Sequence, residues 1–190
     1  MPGLHLALAA SLIFLYYLPS AASLLARGAS VFRQAELHPG SKILMYLVYL
    51  LFFGLSLHSF NPPSASWLNY LGLAPAAAGV LLHYHSIRAL GSSYSAGTKL
   101  KAGGLLVTSG PYSLCRHPLY SSAGLFFPGL ALLLFSPASL VACGLVFAYL
   151  AYRIGVEERL LHRKFGRAYA AYSKKVPATA FGWIGKKLVQ

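Results

Sequence analysis

All 16 lysines and arginines of this 190-residue chain fall within residues 27–42, 88–116 and 153–187, and the stretches between them are long, apolar and free of basic charge. Hydrocarbon offers backbone groups no partner, so a chain crossing it as helix must satisfy every N–H and C=O internally. About 20 apolar residues then cover a core of ~30 Å. The composition agrees: 57% hydrophobic and 10% charged, with a formal net charge of +13, is not that of an ordinary soluble domain. The positive charge lies in short segments between apolar runs, where it sets orientation and meets anionic lipid headgroups. Nucleic acid is therefore not the expected partner.

Breaker residues divide the apolar stretches into five spans. Residues 4–26 form the first, with a kink expected at Pro19. A loop over 27–41 carries Arg27, Arg33, Glu36 and His38 and ends in the breakers Pro39 and Gly40. The second span, 42–60, stops at Asn61, Pro62 and Pro63, and the third runs from the interfacial Trp67 to Leu90 with Pro75 inside it. Spans four and five, 118–135 and 138–155, are separated only by Ser136 and Pro137, which predicts a tight antiparallel helical hairpin. From Val156, the apolar Leu160, Leu161, Phe165 and Tyr169 recur at helical spacing among Arg159, Arg163, Lys164 and Arg167. That is the pattern of an amphipathic helix lying along a membrane face.

The expectation is one all-α integral membrane domain over residues 1–190. It has three transmembrane helices in 1–90, a cytosolic loop over 91–117, the hairpin over 118–155 and a cytosolic amphipathic tail over 156–190. The basic segments place the C-terminus inside and the N-terminus outside. The first run lacks a basic leader and exceeds the length of a signal-peptide core, so it reads as a retained helix. Cys115 and Cys143 sit at different depths, and no disulfide is expected.

Two stretches concentrate the chemistry. TSGPYSLCRHPLY, residues 108–120, is a polar turn that leads straight into a membrane helix, with Pro118 at a first helical position where its missing N–H costs nothing. RIGVEE, residues 153–158, holds two of the three carboxylates in the protein, Glu157 and Glu158, with Arg153 four residues before the first. The hairpin brings Arg153 and Glu157 back to the side of Tyr112 and His117.

GPYSLCRHPLY at 110–120, the RxxxEE run, FGxxYxxYxxxVP at 165–177 and LGxxYS at 90–95 occur in order, and together they resemble the isoprenylcysteine carboxyl methyltransferase family and its wider phospholipid-methyltransferase relatives. The resemblance covers about the C-terminal half. It implies S-adenosylmethionine as methyl donor, S-adenosylhomocysteine as product, and residues 91–117 as a cofactor loop. It further implies Leu106, Val107, Gly110, Tyr112, His117, Tyr120 and Glu158 as cofactor contacts, with Arg153 and Glu157 where substrate meets methyl. A lipophilic or lipid-anchored acceptor would enter from the bilayer, the first expectation being carboxyl O-methylation of an isoprenylcysteine-like substrate. The chain departs from the common pattern at Ser121 and Ser122, and its N-terminal half has fewer spans than the eukaryotic enzymes.

The chemistry suits those residues. A cationic sulfonium is tolerated by aromatic faces, and carboxylates can take its ammonium or ribose hydroxyls. An acceptor carboxylate can be held by Arg153 without a base, whereas an amine needs one, for which Glu157 is available. Plainer readings stand beside these. Arg153 and Glu157 form an i, i+4 ion pair at a helix end; His117 reaches headgroups; Tyr169 and Tyr172 are packing residues and interfacial anchors; Lys174, Lys175, Lys186 and Lys187 meet anionic lipid. His83 and His85 point to different helix faces, His58 is interfacial, and no metal site is expected. The rival functions are phospholipid or amino-lipid N-methylation, an NADPH-dependent sterol-reductase-like enzyme, and a non-catalytic membrane scaffold.

Overall fold

A computed structural model describes residues 2–25, 39–58, 67–93, 105–135 and 137–182, and the regular structure among them is helical throughout. In chain order the helices are α1 (Pro2–Leu25), α2 (Pro39–His58), α3 (Trp67–Tyr70), α4 (Leu73–Leu90), α5 (Pro111–Leu114), α6 (Pro118–Leu133) and α7 (Pro137–Lys175), with a 3₁₀ turn at Gly91–Ser93. The expectations for Arg27, Arg33, Glu36 and His38, for Asn61, Pro62 and Pro63, for Tyr94 and Ser95, and for Ser136, Lys186 and Lys187 lie outside the described residues.

Several boundaries differ from the sequence reading, each for a local reason. Pro39 opens α2 rather than ending a loop, because the first helical position needs no N–H. The third span is two helices. Pro75 cannot donate to residue 71 and its ring crowds that carbonyl, so the chain turns at Leu71 and Gly72 through i→i+3 bonds of 3.2 and 3.1 Å before α4 begins. α1 runs through Pro19 as one helix. The boundary expected at residue 155 is absent, since α7 continues for 39 residues. Its break comes later, at Gly166, with φ 50° and ψ −121°.

α4 packs chiefly on α6, α1 on α4, and α2 on α7, so the expected hairpin partners α6 and α7 each have a larger contact elsewhere. Small residues allow the α4–α6 approach. A Cβ on Gly79 would stand 2.8 Å from the Ser122 carbonyl oxygen, and one on Gly129 would stand 2.6 Å from the Ala76 nitrogen. The core between these helices is Phe126, Phe127, Leu130 and Leu133, joined by Phe52 of α2 and by Val146 and Leu150 of α7. Tyr16 of α1 stacks on Phe126 with centroids 4.1 Å apart.

Apolar side chains also cover the outside. Phe14, Leu50, Leu81 and Val141 are each at least 60% exposed, as expected where the solvent is lipid. By length and composition, Leu4–Ser23 and Pro137–Lys175 can cross a membrane, while Leu44–Ser56 and Pro118–Leu133 are shorter apolar helices. Polar pairs inside the bundle join helices where burial in lipid supplies no apolar drive. The Ser20 hydroxyl lies 2.9 Å from His83 Nε2, and Ser56 and Ser139 are 2.6 Å apart. His83 is buried and His85 exposed, on the different faces their spacing requires.

The close α4–α6 contact yields a direct expectation. Gly79→Leu should lower the thermal midpoint in detergent markedly, with an overpacking cost of at least about 1–3 kcal/mol. Gly144→Ala, whose Cβ meets nothing within 4 Å in the interior of α7, should not lower it and should raise it slightly through helix propensity. Circular-dichroism melts of the two variants beside wild type decide this.

Candidate functional site

The loop before α6 is built to hold its own backbone. Gly110 takes φ 60° and ψ −134°, which a side chain would strain, and Pro111 then starts the single turn of α5. That turn buries Tyr112, whose carbonyl accepts a bond from the Tyr172 hydroxyl. Beyond it, the chain segment that follows α7 returns to lie alongside. Arg116 N donates to Pro177 O and His117 N to Ala178 O, both at 2.9 Å, and Ala180 N donates to Ser121 Oγ at 3.0 Å. The first two bonds satisfy amides at the entry to α6, and the third satisfies one in the returning segment.

Glu158 is the centre of the buried cluster. Its Oε1 accepts from Arg116 Nε at 2.9 Å, His117 Nε2 at 2.7 Å and the Tyr169 hydroxyl at 2.7 Å. Arg116 Nη1 also donates to the carbonyls of Ser173 and Val176, at 2.8 and 2.6 Å, and so caps the end of α7. In an unbroken helix Tyr169 would lie about 16 Å along the axis from Glu158. The turn at Gly166 is what brings the two into contact. Glu158 Oε2 is buried and has no partner among the described residues.

Glu157 sits in a second, more open nest, its side chain 25% exposed against 4% for Glu158. Its Oε1 accepts from the Tyr120 hydroxyl and, at 3.2 Å, from Arg153 Nη2. Arg153 Nε points to the Tyr120 oxygen at 3.4 Å. His117 spans the two nests. Its Nε2 serves Glu158, while its Nδ1 lies 3.8 Å from Glu157 Oε2.

The electrostatics follow from burial and bonding. Burial alone would raise the Glu158 carboxyl, but His117, Tyr169 and Arg116 outweigh it and take the group from 4.5 down to about 2. Burial pushes the Tyr172 hydroxyl up to about 12. Burial and then the neighbouring Glu158 charge raise Tyr169 well above its ordinary value. Both tyrosines are therefore hydrogen-bond donors at neutral pH.

Of the residues singled out in the sequence, Arg153, Glu157, Tyr120, His117 and Glu158 form one contiguous cluster. Tyr112 borders it through Tyr172, and Gly110 acts through the loop backbone. Leu106 and Val107 are half-buried in the non-helical stretch 105–108 and enter the cluster through no polar bond. Tyr169 is not an interfacial anchor, because it is 1% exposed with its hydroxyl on Glu158. Tyr172 likewise reaches inward, to Tyr112. Arg116, which the sequence marks only as the end of the basic segment 88–116, holds Glu158 and the end of α7 together. Ser121, visible there only as a departure from a pattern, anchors the returning segment.

The phospholipid methyltransferase family profile matches residues 67–168. Protein-S-isoprenylcysteine O-methyltransferase B of Arabidopsis thaliana is 32% identical over 140 residues, covering 72% of this chain and 68% of that protein. Protein-S-isoprenylcysteine O-methyltransferase of Xenopus laevis is 34% identical over 115 residues, covering 59% of this chain and 40% of its own length. The cobalt-zinc-cadmium resistance protein CzcN of Cupriavidus metallidurans is 43% identical over 74 residues, covering 38% of this chain and 34% of that protein. The fold is that of a solved eukaryotic intramembrane Ras methyltransferase, isoprenylcysteine carboxyl methyltransferase, with a TM-score of 0.69 at 22% identity. The match takes in 96% of this chain and 66% of that one.

The lowered Glu158 carboxyl fixes an acid limb. A group whose folded value lies below its unfolded one stabilises the fold above the unfolded value, and that stability is lost as pH falls from 4.5 toward about 2. Unfolding followed from pH 6 to pH 2 should therefore show a loss on the order of 3 kcal/mol in wild type. That component should be missing from Glu158→Gln, which is less stable at pH 6.

Proposed function

Because the chain belongs to the phospholipid methyltransferase family, we propose that it is an integral membrane enzyme transferring a methyl group from S-adenosylmethionine to a lipophilic acceptor, with an isoprenylcysteine carboxylate as the preferred acceptor. The supporting observation is the unequal pair of glutamates. Glu158 is buried with one oxygen unpartnered, and Glu157 is half-open and bound to an arginine. The apolar exterior supports five spans, with α3 and α4 together as the third. Residues past 155, carrying the exposed Arg159, Arg163, Arg167, Lys174 and Lys175, would face anionic headgroups at the inner surface. The N-terminus then lies outside and the C-terminus inside.

The donor set fits the proposed cofactor. When bound, S-adenosylmethionine supplies an electrophilic methyl on a cationic sulfur. Tyr112 and Tyr120 offer aromatic faces that tolerate such a cation, and the free oxygen of Glu158 is an acceptor for a charged donor at the cofactor's polar end. Gly110, Leu106, Val107 and His117 would frame the rest. Methyl transfer is mostly a matter of positioning and water exclusion, which the buried cluster provides.

Arg153 distinguishes the acceptors. A carboxylate is already ionised, needs no base, and suits a guanidinium presented from the membrane side of the cluster. An amine would have to give up a proton to Glu157, whose Oε1 already accepts from Tyr120 and Arg153. That geometry favours O-methylation over amino-lipid N-methylation.

In proteoliposomes supplied with methyl-labelled S-adenosylmethionine, label should pass to a farnesylated cysteine with a free carboxylate and not to phosphatidylethanolamine. Arg153→Ala should reduce transfer by at least about a hundredfold, the loss of a positioned charge pair. Transfer to the phospholipid instead would replace the acceptor proposed here. NADPH binding without methyl transfer would favour the reductase, and neither activity would favour the scaffold.

A further inference from the structure

A side chain from outside the two helices enters the seam between α6 and α7. A Cβ on Gly124 of α6 would stand 3.0 Å from Phe181 Cε2 and 3.4 Å from Phe147 Cε1 of α7. Phe181 belongs to the segment that returns after α7, and the residues before it fix where it goes. The carbonyls of Pro177 and Ala178 take the amides of Arg116 and His117, and Ala180 N donates to Ser121 Oγ. Ser121 and Gly124 are small and lie at i, i+3 spacing on α6, which lets the segment approach. The Phe181 ring that ends this track is still 43% exposed.

That ring lies near the open nest. Gly124 follows Tyr120 by about one turn, some 6 Å along the helix, and Tyr120 gives its hydroxyl to Glu157. Phe147 precedes Arg153 by about 9 Å along α7. Both displacements run from the nest toward the apolar middle of their helices. On the other flank of Glu157 stand His117, Glu158 and Arg116, all buried polar groups bonded to one another. An isoprenylcysteine carboxylate held by Arg153 begins its apolar chain only a few bonds away, beyond Cα, Cβ and sulfur. That chain gains by meeting apolar surface and loses by displacing the polar cluster. The open face of Phe181 is apolar surface on the favourable side.

We infer that Phe181 is a specificity-determining residue, its open face taking the first isoprene unit of the acceptor while Gly124 and Phe147 hold the ring in place. This rests on the methyltransferase reading above and on Arg153 as the anchor of the acceptor carboxylate. Phe181 lies beyond the FGxxYxxYxxxVP run and outside every motif that carries the family resemblance.

Methyl-transfer kinetics in proteoliposomes test it with three cysteine thioethers, each with a free carboxylate: S-methyl, S-prenyl with a single isoprene unit, and S-farnesyl. Phe181→Ala should lower kcat/KM about tenfold for the S-prenyl and S-farnesyl acceptors, the worth of roughly 60 Å² of apolar contact. The loss should lie in KM, and the S-methyl acceptor should be unaffected. Phe181→Leu, which keeps an apolar side chain, should restore most of the loss. Calorimetric binding of S-adenosylhomocysteine should be the same in wild type and both variants. Equal loss for all three acceptors, or weakened S-adenosylhomocysteine binding, would make Phe181 a latch for the returning segment and overturn the inference. Undiminished transfer to the S-prenyl and S-farnesyl acceptors would mean that the ring meets only bilayer lipid, and would overturn it as well. Absence of methyl transfer by wild type to any of the three would instead remove the reading on which the inference rests.

Discussion

One carboxylate oxygen holds three segments of the chain together. Glu158 Oε1 takes hydrogen bonds from Arg116 in the loop before α6, from His117 at the start of α6, and from Tyr169 beyond the break in α7. Each donor comes from a piece of chain that local forces would leave separate. An anion buried to this degree is tolerated only when its lone pairs are met by charged or strong donors, and removing a partner leaves an uncompensated charge in a poorly solvated place. The second glutamate is arranged differently. Glu157 is held by Arg153 and Tyr120 and remains partly open, so adjacent acids of identical chemistry have separate tasks set by their surroundings.

The membrane makes this arrangement necessary and possible. Helices with apolar residues on every side gain nothing from hiding them from lipid, so close packing and polar pairs select how they associate. Gly79 and Gly129 let α4 and α6 meet backbone to backbone, and Ser20 with His83 and Ser56 with Ser139 join other helix pairs. Fixing α6 on α4 aims Tyr120 and His117 at α7. The segment after α7 then pairs with residues 116 and 117 through Pro177 and Ala178, closing the cluster from the other side.

Much of this could be read from the residues in order. Charges are so scarce that Arg153, Glu157, Glu158 and the RHPLY turn stand out, and the hairpin geometry was enough to bring them together. The role of Arg116 was not legible, because its partners are the carbonyls of Ser173 and Val176, which no side-chain pattern reveals. Tyr169, read in the sequence as a packing residue and buried as such, has a bond to Glu158 that was hidden for a related reason. Its contact with Glu158 depends on Gly166 breaking the helix, and a single glycine in a helical pattern is equally compatible with an unbroken one. Pro39 and Pro75 show the same ambiguity on a smaller scale, since proline can end a helix or sit in its first turn.

The unequal glutamates give the site its direction, with a sealed polar end at Glu158 and a more open end at Glu157. Everything in that description depends on Glu158 and Arg116 acting as one unit. The most direct measurement is a double-mutant cycle on unfolding stability with Arg116→Met, Glu158→Gln and the two combined. Each single change should be strongly destabilising, and the pair together should cost less than the sum by about 2 kcal/mol, because the second change removes the charge the first left unpaired. Additivity within about 0.5 kcal/mol would show that the two residues do not act on each other, and the shared carboxylate would no longer explain how the site is held.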